Sequence, residues 1–153
     1  MITDPLDAED PRPDSDEPLS REELPDFESA LDILIDPGAD LQPGLINALS
    51  DPASHQVDRF REVWPTVAPD RRLWIARRLH EAAEASFHVS FDRLFSLLLD
   101  DTDGRIRALA VEGLWENTSP KLIPRFVALL RDDLDEDVRS GAAAALGDFI
   151  YRG

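Results

Sequence analysis

The chain has 153 residues, no cysteine, 42% apolar residues and a formal charge of −16 at neutral pH. That length suits one domain, the lack of cysteine removes disulfides and thiolate ligands, and the carboxylate excess opposes nucleic acid and anionic membranes, which recruit Lys and Arg. No run approaches the roughly 18 apolar residues of a membrane span and the acidic start lacks the apolar core of a secretory signal, so a cytoplasmic location is expected.

Residues 1–25 carry nine Asp or Glu and few large apolar side chains. They bury too little to offset the entropy of ordering, which predicts a disordered acidic tail. Its alternatives are a docking segment for a basic partner and a solubilising extension. A helical domain is expected over 26–153. Phe27, Ala30, Leu31, Leu34 and Ile35 have the spacing of one helix face from Asp26 onward, and Asp36-Pro37-Gly38 ends it. A short helix over Pro43 to Leu49 follows. The next is expected to open at Asp51-Pro52, an N-cap with proline at the first helical position, with Val57, Phe60, Val63 and Trp64 inward until the break at Pro65 to Pro69. Asp70 is the expected cap of the following helix, which runs to about Ser86 with Leu73, Ile75, Ala76, Leu79, Ala82 and Ala83 inward. Arg71, Arg72, Arg77, Arg78 and His80 line its other faces and are the chain's one basic concentration. Pairing with neighbouring carboxylates competes there with an anion site.

Beyond this helix the chain repeats itself. Asp100 to Leu114, DDTDGRIRALAVEGL, returns 32 residues later as DDLDEDVRSGAAAAL, Asp132 to Leu146. Asp101 falls on Asp133, Asp103 on Asp135, Ile106 on Val138, Arg107 on Arg139, Ala110 on Ala142 and Leu114 on Leu146. The preceding helices also agree, with Leu94 on Phe126 and Leu97 on Leu129. A weaker copy lies 35 residues upstream, pairing Phe60 with Phe95, Arg72 with Arg107 and Leu79 with Leu114. Two amphipathic segments per unit at this period mark an α-solenoid. The expected fold is therefore all-α, an α-α superhelix of about four helix pairs at 26–49, 51–86, 90–116 and 119–151. The last four helices are expected at Phe91 to Leu99, Gly104 to Trp115, Pro120 to Arg131 and Glu136 to Tyr151. Ala110, Ala142 and Ala145 are small where helices cross closely, and Gly113 and Gly141, which cost about 1 kcal/mol each in an open helix, point to close packing.

The order L-x-x-L-L-x-D-D, a further Asp, then V/I-R-x-x-A-x-x-x-L resembles the HEAT repeat, in particular the short bacterial HEAT-like repeats also found in phycobilin lyase subunits. The resemblance is strong over 90–150, weaker over 51–86 and absent from the tail. It implies a structural ladder in which an Asp of the turn and an Arg six positions later bond within and between repeats, here Asp101 with Arg107 and Asp133 with Arg139. Thr66 stands six positions before Arg72, which leaves open whether the ladder reaches the earlier pair. On the same reading, Arg139→Ala is expected to leave Asp133 unpaired and to destabilise the last repeat by about 1 to 3 kcal/mol.

The resemblance further implies that the second helices form a concave binding face. Candidate partner-binding positions are Arg105, Ala108, Glu112 and Trp115 in one repeat and Asp137, Ser140, Ala144 and Asp148 in the next. Trp115, an aromatic near a carboxylate, suits an interface anchor; the alternative is packing against a neighbouring helix.

No catalytic, cofactor or metal set is expected. Asp100, Asp101, Asp103 and Gly104 resemble part of a calcium loop, but Leu99 and Ala110 would occupy its first and twelfth positions and cannot ligate. Asp103 reads instead as a helix N-cap. His55, His80 and His88 lack metal spacing, His80 and Glu84 share a helix face as a surface pair, and the serines lack a nucleophile elbow. The leading expectation is a non-enzymatic protein-binding scaffold. The alternatives are a phycobilin-lyase-like subunit or regulatory factor acting on a chromophore or protein substrate, and a DNA-base excision enzyme, which the acidic charge disfavours. The apolar, Ala-rich last helix is expected to be covered by a partner, by self-association or by further repeats.

Overall fold

The computed structural model describes residues 25–152, so the tail expected over 1–25 lies outside the described residues except for Pro25. All regular structure among the described residues is helical: α1 (Phe27–Ile35), α2 (Pro43–Ala48), α3 (Ser54–Val63), α4 (Pro69–Ala85), α5 (Asp92–Leu98), α6 (Gly104–Gly113), α7 (Leu122–Asp132) and α8 (Glu136–Arg152). No helix among them is long and apolar enough to cross a membrane.

The helices form pairs that stack in one direction. α2, α4, α6 and α8 pack in succession as the second helices, while α1 meets α3 and α3 meets α5 as the first helices. Each turn buries a stripe between layers: Phe60, Phe91, Phe95 and Phe126 are fully buried, as are Leu31, Leu34, Ile75, Leu79, Leu94 and Leu98. At about 1.5 to 3 kcal/mol for each such side chain, this stripe is the main force holding the pairs together. Ala110 and Ala142 are fully buried where α6 and α8 cross their neighbours, and Val111 lies 3.3 Å from where a side chain on Gly141 would begin.

Local chemistry sets the helix ends. Asp26 caps α1, its Oδ1 accepting the Ser29 N–H at 2.8 Å. At the other end Arg71 of α4 donates to the Leu34 and Ile33 carbonyls, both at 2.7 Å, in the last turn, where a helix leaves carbonyls short of intrahelical donors. The Arg71 and Arg78 guanidiniums also lie over the Trp74 ring, at 5.2 and 5.5 Å. Three expectations are corrected here. Ile35 faces solvent, 45% exposed. α3 starts at Ser54 and not at Asp51-Pro52, because Asp51 takes a left-handed φ of 47° and gives its N–H to the Ser90 carbonyl at 2.7 Å. Gln56 then closes the helix start by accepting the Ala53 N–H at 2.8 Å. Likewise Ala68 takes the cap position of α4, with Pro69 first in the helix and Asp70 inside its first turn, where a carboxylate complements the helix dipole.

A ladder and a groove on the second helices

The four positions of the expected ladder are joined both between pairs and within them. Arg107 donates Nε and Nη2 to the two carboxylate oxygens of Asp133, both at 2.8 Å, a bidentate fork in a site where the side chains are 16% and 4% exposed. Two parallel charge-assisted bonds fix geometry as well as charge, and Arg107 holds the Asp133 carboxyl below the usual carboxylate range. Within its own pair Arg107 reaches only a backbone acceptor, the Asp101 carbonyl, at 2.8 Å. Arg139 repeats this with the Asp133 carbonyl at 2.7 Å. The expected carboxylate pairings of Asp101 with Arg107 and of Asp133 with Arg139 are therefore corrected. The side chain six residues ahead meets a carbonyl, and the carboxylate turns to the preceding pair.

The rung open at Arg72 in the sequence reaches Asp101, which is buried. Its Oδ2 accepts the Trp64 indole N–H at 2.7 Å, and Arg72 Nε lies 3.6 Å away. Beyond hydrogen-bond length, this second contact is electrostatic. Thr66 thus has no part in the rung. The turn geometry repeats as well: Oδ1 of Asp101 accepts the Asp103 N–H and Oδ1 of Asp133 the Asp135 N–H, each at 2.9 Å. Asp103 and Asp135 then accept the N–H groups of Arg105 at 2.9 Å and Asp137 at 2.8 Å. Arg105 also closes a salt bridge on Asp103 at 2.9 Å and lowers its pKa. The acidic turn is a capping device in both copies.

The candidate binding residues divide into two edges. Arg105, Asp137 and Ser140 are exposed near the N-terminal ends of α6 and α8, with Arg105 engaged by Asp103. Glu112 and Trp115 lie at the other end of α6. Trp115, 52% exposed, also lines a small crevice with Phe126, Phe149 and Asp148, so it both meets solvent and rests against the last pair. Ala108 is half-buried and Ala144 exposed.

Glu112 and Trp115 belong to a groove of about 690 Å³ between the C-terminal ends of α4 and α6 and the segment joining α4 to α5. His80 spans its floor, its Nε2 lying 3.4 Å from Glu112 Oε2 and 3.7 Å from Glu84 Oε1. Asp92, at the start of α5, also lines the groove and accepts from Asn117 Nδ2 at 3.0 Å. Burial pushes its pKa up, against that hydrogen bond, and the negative Glu116 adds to the rise. Phe87, on the connecting segment, is 97% exposed. The sequence reading did not single out Phe87 or Asp92. The available signal was an aromatic outside any helical period, between the end of one pair and the start of the next.

Among the described residues no group of three or more His, Asp or Glu side chains is arranged to hold a metal ion. Searches of the curated proteins and of the solved structures return no match. Residues 91–152, from the start of the third pair to the end of the fourth, match the family of HEAT repeats. Over that span the stacked pairs and the repeated Asp/Arg turn are similar to HEAT repeats.

Proposed function

We propose that the protein is a non-enzymatic interaction scaffold that binds a protein partner on the surface of its second helices, at the edge formed by the ends of α4 and α6. HEAT repeats commonly mediate protein–protein interaction. The observation that carries the reading is the groove holding Glu112 and Trp115, with a half-exposed Trp and a fully exposed Phe on its walls. Interface anchors are drawn from such aromatic side chains. His80 in the groove has the Glu84 and Glu112 carboxylates for neighbours. The acidic, cysteine-free composition agrees with a cytoplasmic setting.

The test is retention of a partner from the source lysate by the wild type and by a Glu112→Ala, Trp115→Ala double variant whose helicity and melting temperature match the wild type. Stoichiometric retention by the first and its loss from the second is the expected result. Equal retention by both would move the site elsewhere. A second contact, self-association through α8, is supported by Ile150 and Tyr151, 80% and 92% exposed. A strictly monomeric species in light scattering at high micromolar concentration would rule it out.

A further inference from the structure

Beside His80, the walls of the α4–α6 groove combine several features that favour a cation. Glu84, Asp92, Glu112 and Glu116 contribute carboxylates to one groove of about 690 Å³. Both second helices end there, α4 at Ala85 and α6 at Gly113, and neither has a basic residue in its last turn. A helix C-terminus carries partial negative charge that a cation offsets, by roughly 0.3 to 1 kcal/mol. Phe87, 97% exposed, and the half-exposed Trp115 stand on the groove walls, and an aromatic face attracts ammonium and guanidinium groups. Burial raises the pKa of Asp92, and the neighbouring Glu116 charge adds to the rise.

We propose that this groove docks a basic segment of a partner polypeptide, with a Lys or Arg stem against the Phe87 and Trp115 rings and its cationic head among Glu84, Glu112 and Glu116. The inference rests on the scaffold reading and adds the chemistry of the partner. Lys and Arg side chains fit both halves of the groove, since their apolar stems cover ring surface while the charged end stays among carboxylates. A partner with an apolar helix face would leave those carboxylates facing apolar surface, and an acidic one would be repelled.

The experiment is a fluorescence-anisotropy titration of the full chain into a short labelled peptide alternating Lys and Arg with Gly and Ser, and into its counterpart with Glu at every basic position. Saturable binding of the basic peptide alone, weakening as salt is raised, is the expected result. A Glu84→Gln, Glu112→Gln, Glu116→Gln variant should bind at least tenfold more weakly, whereas an Asp32→Asn, Asp132→Asn, Glu136→Gln variant, with the same change in net charge, should stay within about twofold; tenfold corresponds to about 1.4 kcal/mol. Equal weakening by both variants would reduce the effect to overall charge and overturn the proposal. So would an absence of saturable binding at low salt. Should the lysate partner still be lost from the Glu112→Ala, Trp115→Ala variant while the basic peptide fails to bind, the scaffold reading stands and the cationic chemistry falls.

Discussion

Arg107 and Arg139 occupy the same register in successive repeats, yet their surroundings predict different consequences of removal. Arg107→Ala strips a bidentate partner from a carboxylate that is 4% exposed. Leaving such a group without its counter-charge should cost about 3 kcal/mol. Arg139→Ala removes a bond to the Asp133 carbonyl while Arg107 continues to neutralise the carboxylate, so a loss of about 1 kcal/mol is expected, at the low end of the sequence-based expectation. Urea denaturation of the two variants checks the order, and equal losses would show that the Arg107 fork adds nothing beyond its carbonyl bond. The same pair sets a pH dependence. Because Arg107 depresses the Asp133 pKa in the folded state, the stabilisation is present above the unfolded value of about 3.9 and is lost as pH falls through the lower folded value. The wild type should therefore lose its advantage over Asp133→Asn below about pH 4, as read by melting temperatures across that range. A constant difference would separate the two effects.

At the scale of the elements, glycines report how closely the pairs approach. A side chain on Gly113 would begin 2.6 to 2.7 Å from three atoms of the buried Phe95 ring. Alanine has the better helix propensity by about 1 kcal/mol, but the ring cannot retreat within a filled core, and overpacking costs about 1 to 3 kcal/mol. Gly113→Ala should thus lower stability, whereas Gly147→Ala, with nothing within 4 Å, should raise it by about 0.5 to 1 kcal/mol; thermal melts of both variants check the contrast. The period, the inward faces and the capping role of Asp103 were legible in the sequence because they depend on residues a few positions apart. The helix start at Ser54 was not, since Asp51 is held by the Ser90 carbonyl on a different pair. The direction of the ladder was hidden for the same reason: Arg107 and Asp133 are 26 residues apart, and only stacking brings them together. Trp64, which ends the first helix of its pair, bonds to Asp101 where the sequence reading looked to position 66.

For the whole molecule, stacking converts four short helix pairs into one surface with two unlike edges. The N-terminal edge of the second helices is occupied by its own caps, with Arg105 folded onto Asp103. At the C-terminal edge, α4 and α6 release their ends, carboxylates and aromatic rings into one groove. The fold carries this asymmetry because each second helix runs in the same direction, so every cap falls on one side and every helix end on the other. A sequence reading could assign Glu112 and Trp115 to the outside of α6, but the α4 residues and Phe87 that complete the groove join them only through the stack. Amide hydrogen exchange on the protein, alone and with its retained partner, tests the scaffold assignment most directly. Added protection is expected in residues 80–92 and 112–117, with α1, α2 and the N-terminal half of α8 unchanged; protection centred on α8 or on α1 and α2 would contradict that assignment.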